Sequence, residues 1–132
     1  MKGVSIKNLH LILSIVLIIP TALAYGLYPV LTVPGLFDFT IETVNLAGIF
    51  KATMGLYLGM STLWITGILK PKFWIIATIT NIVFMGSLAC GRLISMVTDG
   101  MPGIYFSVGF VAEISLALWA LRNLRKYGPT HQ

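Results

Sequence analysis

Charged side chains are scarce in this sequence, because Asp, Glu, Lys and Arg together make up 10% of its 132 residues. A typical soluble domain carries about 25% charged residues. Hydrophobic residues account for 57% of the chain, and they form runs long enough for membrane helices, which need about 20 residues each. The missing charge excludes an ordinary soluble domain and predicts an integral membrane protein of one domain, residues 1–132.

Cysteine is nearly absent as well, since Cys90 is the only one in the sequence. It allows no internal disulfide and no cysteine-based metal site, and we interpret it as a small packing residue. His10 and His131 lie near the chain ends, so no pair of histidines inside the bundle supports haem, and no carboxylate–histidine motif supports a di-iron site. Phosphate-binding glycine loops and nucleophile elbows are absent too. We predict no metal, cofactor or catalytic residue, and the chain leans away from being an enzyme.

Acidic residues are outnumbered, with four Asp and Glu against nine Lys and Arg and a net charge of +5. The basic residues flank apolar runs and form no aromatic-interleaved patch, which excludes nucleic acid as a partner. Lys and Arg occur in the amino-terminal flank, which includes Lys2, in the 70–72 turn and in the carboxyl flank, whereas residues 32–43 and 98–103 contain none. The positive-inside rule then places both termini in the cytoplasm.

Four apolar stretches predict membrane spans at residues 9–31, 44–69, 73–97 and 104–121. The first resembles a signal peptide at its start, but its apolar character continues past the Ala22-Leu23-Ala24 motif, so we expect a retained helix bent at Pro20. Residues 32–43 alternate between apolar and polar side chains after a Pro34-Gly35 turn, and we expect a segment lying at the membrane interface. Short connections predict an all-α antiparallel four-helix bundle. One face of the second span is predicted to pack closely because its residues are small: Gly48, Ala52, Gly55 and Gly59.

Ionisable side chains inside these spans are the strongest functional indication, because each costs several kcal/mol in a bilayer, roughly 2.5–3.5 on insertion scales. Lys51, Arg92 and Glu113 fall in three different spans at similar depth, and Asp99 lies at the rim of one. We expect a polar chamber open to the outside, in which Glu113 pairs with Lys51 or Arg92. Further hydrogen-bonding side chains are expected from Asn45, Tyr57 and Ser95.

Two sequence patterns resemble a bacterial membrane family known as domain of unknown function 4345. The pattern N-x5-K-A-x2-G-x-Y runs from Asn45 to Tyr57, and G-R-x2-S-x3-D-G-x-P begins at Gly91. Glu113 falls where that family carries a glutamate in the middle of a helix. The resemblance covers about residues 9–125 and implies a four-helix protein of a bacterial inner membrane, without an established activity. The architecture is also loosely similar to DoxX-like proteins, some of which are associated with quinone-linked oxidoreductases.

These residues leave several functions open. The charges could form a structural ion-pair network that fixes helix register, hold a ligand, or take part in proton or ion movement. Our first hypothesis is a non-enzymatic accessory subunit of a larger membrane complex, because the chain is small and its helices carry packing faces. The alternatives are binding of a lipid, quinone or other polar-headed amphiphile by Lys51, Arg92 and Glu113, with proton transfer at Glu113, and a small transporter or proton pathway.

Overall fold

Helices form almost all of the structure, a computed structural model that describes residues 5–129. The long helices are α1 (Leu9–Gly26), α3 (Val44–Leu69), α4 (Trp74–Thr98) and α5 (Ile104–Tyr127), with a short α2 (Pro29–Leu36) after the first. Two 3-10 turns, Ile6–Asn8 and Pro71–Phe73, precede α1 and α4, and residues 5–129 contain no strand. Four of these segments are long and apolar enough to cross a membrane, which confirms the all-helical class and suggests a membrane protein. Lys2 and His131 lie outside the described residues.

The first span is shorter than the predicted residues 9–31, because α1 ends at Gly26 and a separate helix begins at Pro29. Proline has no N–H to continue a helix and disfavours helical geometry in the residue before it. Tyr28 accordingly has φ −136° and ψ 65°. The expected turn at Pro34-Gly35 is wrong, since both residues belong to the last turn of α2, and only residues 37–43 form an irregular segment.

The other helix ends follow from local chemistry. Thr43 caps α3, because its hydroxyl accepts a hydrogen bond from the Leu46 N–H at 3.1 Å. Gly100 follows α4 with φ 104°, a left-handed conformation that glycine adopts without strain. The fourth predicted span, 104–121, continues as helix to Tyr127, so the basic residues after position 121 lie on its last turns.

Pairs of neighbouring helices hold the bundle together: α1 packs mainly on α3 and α5 mainly on α4, with a smaller contact between α3 and α4. Two glycines allow the closest approaches. A Cβ at Gly26 would lie 2.3 Å from the Met54 side chain, and one at Gly67 would lie 2.3 Å from Ala77 Cβ. By contrast, α1 and α5 touch little, so this side of the bundle is open.

Large apolar side chains cover the outside of the helices, for example Val44 at 89% exposure and Val97 at 79%. Such a surface suits lipid, in which an exposed apolar side chain carries no penalty. The buried core is rich in aromatic residues, including Tyr57, Trp64 and Trp74. Contacts of Phe37 with Phe106 define one end of the bundle, the loop end, formed by residues 37–43 and 99–106. The opposite end, the terminal end, is formed by residues 5–10, 70–78 and 123–127, where Lys7 contacts Trp74 and Asn123.

Candidate functional site

An ion pair between α4 and α5 lies at the centre of the candidate site. Arg92 Nε donates to Glu113 Oε2 at 2.8 Å, and the Glu113 side chain is 5% exposed against 20% for Arg92. Of the two partners expected for Glu113, the structure therefore selects Arg92. Glu113 is nine residues into α5, which places it roughly 13 Å along the helix from its start at the loop end.

Aromatic rings surround the guanidinium of Arg92. The Arg92 carbon Cζ lies 5.3 Å from the centroid of Phe106, within the range of a cation–π contact. The Tyr25 phenol from α1 is next to the same guanidinium, and its ring lies 6.1 Å from that of Tyr57 on α3. A Cβ added at Gly109 would lie 3.7 Å from Arg92 Nη2, so the missing side chain keeps the space beside the guanidinium open.

The ion pair forms part of the wall of a cavity of about 650 Å³ on the open side between α1 and α5. A volume of this size falls in the range of small-molecule sites, roughly 300–1,000 Å³. Apart from Arg92 and Glu113, its lining consists of apolar and aromatic side chains with one threonine, Thr21. The cavity therefore has a charged pair at one position and an otherwise largely apolar wall. This arrangement can hold a molecule with a polar head and an apolar body.

Phe37 closes the loop end of this cavity. Its ring packs 4.7 Å from that of Phe106 and 5.6 Å from that of Tyr25. It also lines a second cavity, of about 450 Å³, which contains Asp38 and faces the loop. Phe37 thus lies between the two spaces, and the larger cavity is open along the flank of the bundle where α1 and α5 separate.

The remaining predicted site residues lie apart from the ion pair, except Tyr57, which is buried and lines the cavity. Lys51 is exposed on α3 and forms no ion pair with any described residue. Asn45 is exposed in the first turn of α3. Ser95 donates to Asp99 Oδ2 at 3.0 Å, but both side chains are exposed near the end of α4. The structure thus brings together Arg92, Glu113 and Tyr57.

Sequence reasoning missed Tyr25 in the site, although a signal was available. Leu11, Ile18, Ala22 and Tyr25 follow one another at steps of seven, four and three residues, which is the spacing of one helix face. All four are buried. Extending the apolar face of α1 by one further turn would have directed the tyrosine into the bundle.

A second group of polar side chains is buried at the terminal end, and we call it the terminal polar cluster: His10, Ser14, Thr78 and Asn123. The Asn123 amide donates to His10 Nδ1 at 2.9 Å, and His10 Nε2 lies 3.3 Å from Thr78 Oγ1. A neutral imidazole with its proton on Nε2 satisfies both contacts. In the sequence His10 lies near a chain end, but the structure buries it completely and links α1, α4 and α5 through it.

The two polar regions are not connected by polar side chains along α4. Between Asn81 and Arg92, the buried residues of this helix are Phe84, Met85 and Ala89. These residues span about 16 Å of helix from Asn81 to Arg92. A proton pathway along this face of α4 would have to cross this apolar stretch.

Comparison with known proteins adds the family. No curated protein and no solved structure matches this chain. One family model matches residues 6–123, which is most of the sequence and includes both sides of the ion pair. The chain therefore belongs to the family described as domain of unknown function (DUF4345).

Proposed function

We propose that this protein binds a polar-headed amphiphile from the membrane, in the cavity between α1 and α5. The observation that carries the proposal is the Arg92–Glu113 ion pair, which opens onto an otherwise apolar cavity of about 650 Å³. The head group would contact Arg92 and Glu113, while the apolar tail would lie against side chains such as Leu17 and Val108. Because the bundle is open on this flank, the ligand would enter sideways from the bilayer.

The proposal includes an arrangement in the membrane: an antiparallel bundle in a bacterial inner membrane, with both termini and the terminal end in the cytoplasm. Support comes from the basic residues near that end, since residues 37–43 and 99–103 contain no Lys or Arg. Single cysteines at Met101 and Lys126, in a Cys90→Ala background, provide the test. An impermeant maleimide added to intact spheroplasts should label only Met101→Cys, and labelling of Lys126→Cys instead would reverse the orientation.

The binding experiment is native mass spectrometry of the protein released from neutral-detergent micelles after extraction from its membrane. Wild-type protein should retain an amphiphile that Arg92→Ala and Glu113→Gln lose. Gly109→Leu should also lose it, because the new side chain would occupy the space beside the guanidinium. Gly86→Leu is the matched control, since a Cβ there meets no atom within 4 Å and Gly86 does not line the cavity. Equal retention by all variants would reject the proposal.

An accessory-subunit role is the second candidate, and the outward face of α3 favours it. Cβ atoms at Gly48, Gly55 and Gly59 would meet nothing within 4 Å, so these positions of the predicted packing face contact no other helix among the described residues. Lys51 lies beside this face, exposed within a membrane span and without an ion-pair partner among the described residues. A neighbouring subunit with an acidic side chain at the same depth would compensate that charge.

Copurification after mild crosslinking tests this second candidate. Gly55→Leu should remove a partner band that Ile65→Leu, a conservative change at an exposed position ten residues further along α3, leaves in place. A wild-type protein that runs as a monodisperse monomer without any partner would exclude the accessory role. Because Gly55 does not line the cavity, ligand binding and partner binding can be separated by these variants.

A further inference from the structure

The ion pair keeps much of its hydrogen-bonding capacity free. Arginine has five N–H donors, and Glu113 uses the one on Nε. The neighbouring Tyr25 hydroxyl can accept a hydrogen bond from at most one or two more of these donors, so other N–H groups of Arg92 remain free. Glu113 Oε1 and the Tyr57 hydroxyl have no hydrogen-bond partner among the described residues. The cavity wall therefore presents both donors and an acceptor to whatever occupies it.

The charges that line the cavity cancel. Arg92 and Glu113 are its only charged lining residues among those the structure describes, and they compensate each other at 2.8 Å. An anionic head group would be attracted by Arg92 but repelled by the free oxygen of Glu113. A cationic head group would be attracted by Glu113 but repelled by Arg92. Neither would find a net opposite charge. An uncharged head group can instead accept from the guanidinium and donate to the carboxylate at the same time.

The depth of the ion pair in the membrane is a second reason why an uncharged head group suits the cavity better than a charged one. Glu113 lies roughly 13 Å along α5 from its start at the loop end, well below the level at which phospholipid head groups lie. Carrying an uncompensated charge to that depth costs several kcal/mol. A head group with hydroxyl and carbonyl groups loses much less, because the free donors and acceptor of the ion pair replace the water it leaves.

We propose that the cavity selects amphiphiles with an uncharged head group that carries both hydroxyl and carbonyl groups, and discriminates against anionic ones. This inference rests on the proposed binding function, and it names the ligand class of the same site. The aromatic rings of Tyr25, Phe37 and Phe106 form the wall around the head group, and they offer apolar contact without charge.

Two probes with the same twelve-carbon tail test the selection: 1-dodecanoylglycerol, which is uncharged, and dodecyl phosphate, which is anionic. Each is titrated into purified protein in neutral detergent, and the bound fraction is measured by native mass spectrometry. Wild-type protein should bind 1-dodecanoylglycerol at least about tenfold more tightly, which corresponds to 1.4 kcal/mol. Glu113→Gln leaves Arg92 uncompensated and should reverse the preference toward dodecyl phosphate. Gly109→Leu should abolish binding of both, and Gly86→Leu should bind as wild type does.

The outcomes separate the two proposals. Binding of either probe that Gly109→Leu abolishes supports the amphiphile site itself. If wild-type protein then prefers dodecyl phosphate, or if Glu113→Gln leaves the preference unchanged, the selection for uncharged heads is wrong while the binding function stands. If neither probe binds in a manner sensitive to Gly109→Leu, both the selection and the binding function are rejected.

Discussion

Breaking the Arg92–Glu113 ion pair from one side should destabilise the protein more than removing both charges together. Removing one partner of a buried pair costs about 3–5 kcal/mol, because the other charge is left uncompensated. The Glu113 side chain is 5% exposed and Arg92 is 20% exposed, so the carboxylate would be the harder charge to leave alone. We therefore expect a loss of about 3–4 kcal/mol for Arg92→Met and about 2–3 kcal/mol for Glu113→Leu.

The double variant Arg92→Met/Glu113→Leu should lie within about 1 kcal/mol of wild type, because an apolar pair of similar volume needs no compensation. The coupling energy in this double-mutant cycle should therefore be at least about 4 kcal/mol. The free energy of unfolding can be measured in mixed micelles titrated with sodium dodecyl sulfate and followed by circular dichroism.

Ser95→Ala is the control for the cycle. It removes a hydrogen bond to Asp99 near the end of α4, but both side chains are exposed. We expect its effect to stay within about 0.5 kcal/mol. Single losses for Arg92 and Glu113 that simply add in the double variant would refute the reasoning, because additivity means that the two charges do not compensate each other.

The remaining predictions concern packing, buried amides and the site. Gly67→Ala should lower the free energy of unfolding by about 1–3 kcal/mol because of its overlap with the next helix, whereas Gly59→Ala, which meets nothing, should be neutral or stabilising. Asn123→Leu should cost about 1–3 kcal/mol, since it leaves the buried Nδ1 atom of His10 without a hydrogen-bond donor. Asn81→Leu should be neutral or stabilising in the same unfolding assay, because its buried amide has no hydrogen-bond partner among the described residues. Tyr57→Phe should weaken amphiphile binding severalfold by native mass spectrometry and leave unfolding unchanged, since its hydroxyl bonds no described group.

The sequence predicts the span of α3 to the residue and that of α4 within one, because apolar runs bounded by polar turns determine where a helix can cross a bilayer. The prediction of the first span as residues 9–31 is wrong, because Pro29 lies inside a run of residues that is continuously apolar by composition. The break depends on a missing N–H and on the backbone of Tyr28, which hydropathy does not register.

The sequence also predicted the positions of some charged residues correctly and of others wrongly. Glu113 and Arg92 could be paired from their opposite charge and similar depth, and the structure joins them. Lys51 met the same criteria, but it lies on the outward face of α3 and is exposed. Depth along a helix can be counted from the sequence, whereas the direction of a helix face depends on which neighbours it packs against. His10 illustrates the converse, because a residue close to a chain end became buried once α4 and α5 covered it.

The open flank between α1 and α5 decides how the ion pair is best interpreted. A pair that served only to fix helix register would be most effective where helices close around it, since protein groups would then satisfy its remaining atoms. Here α1 contributes Tyr25, Thr21 and apolar side chains to the opposite wall, and no counter-charge. The free atoms of Arg92 and Glu113 consequently face a cavity. In the proposed membrane arrangement water is scarce at that depth, and unsatisfied polar groups are costly there. The proposed ligand would meet this requirement, because its head group both donates and accepts hydrogen bonds.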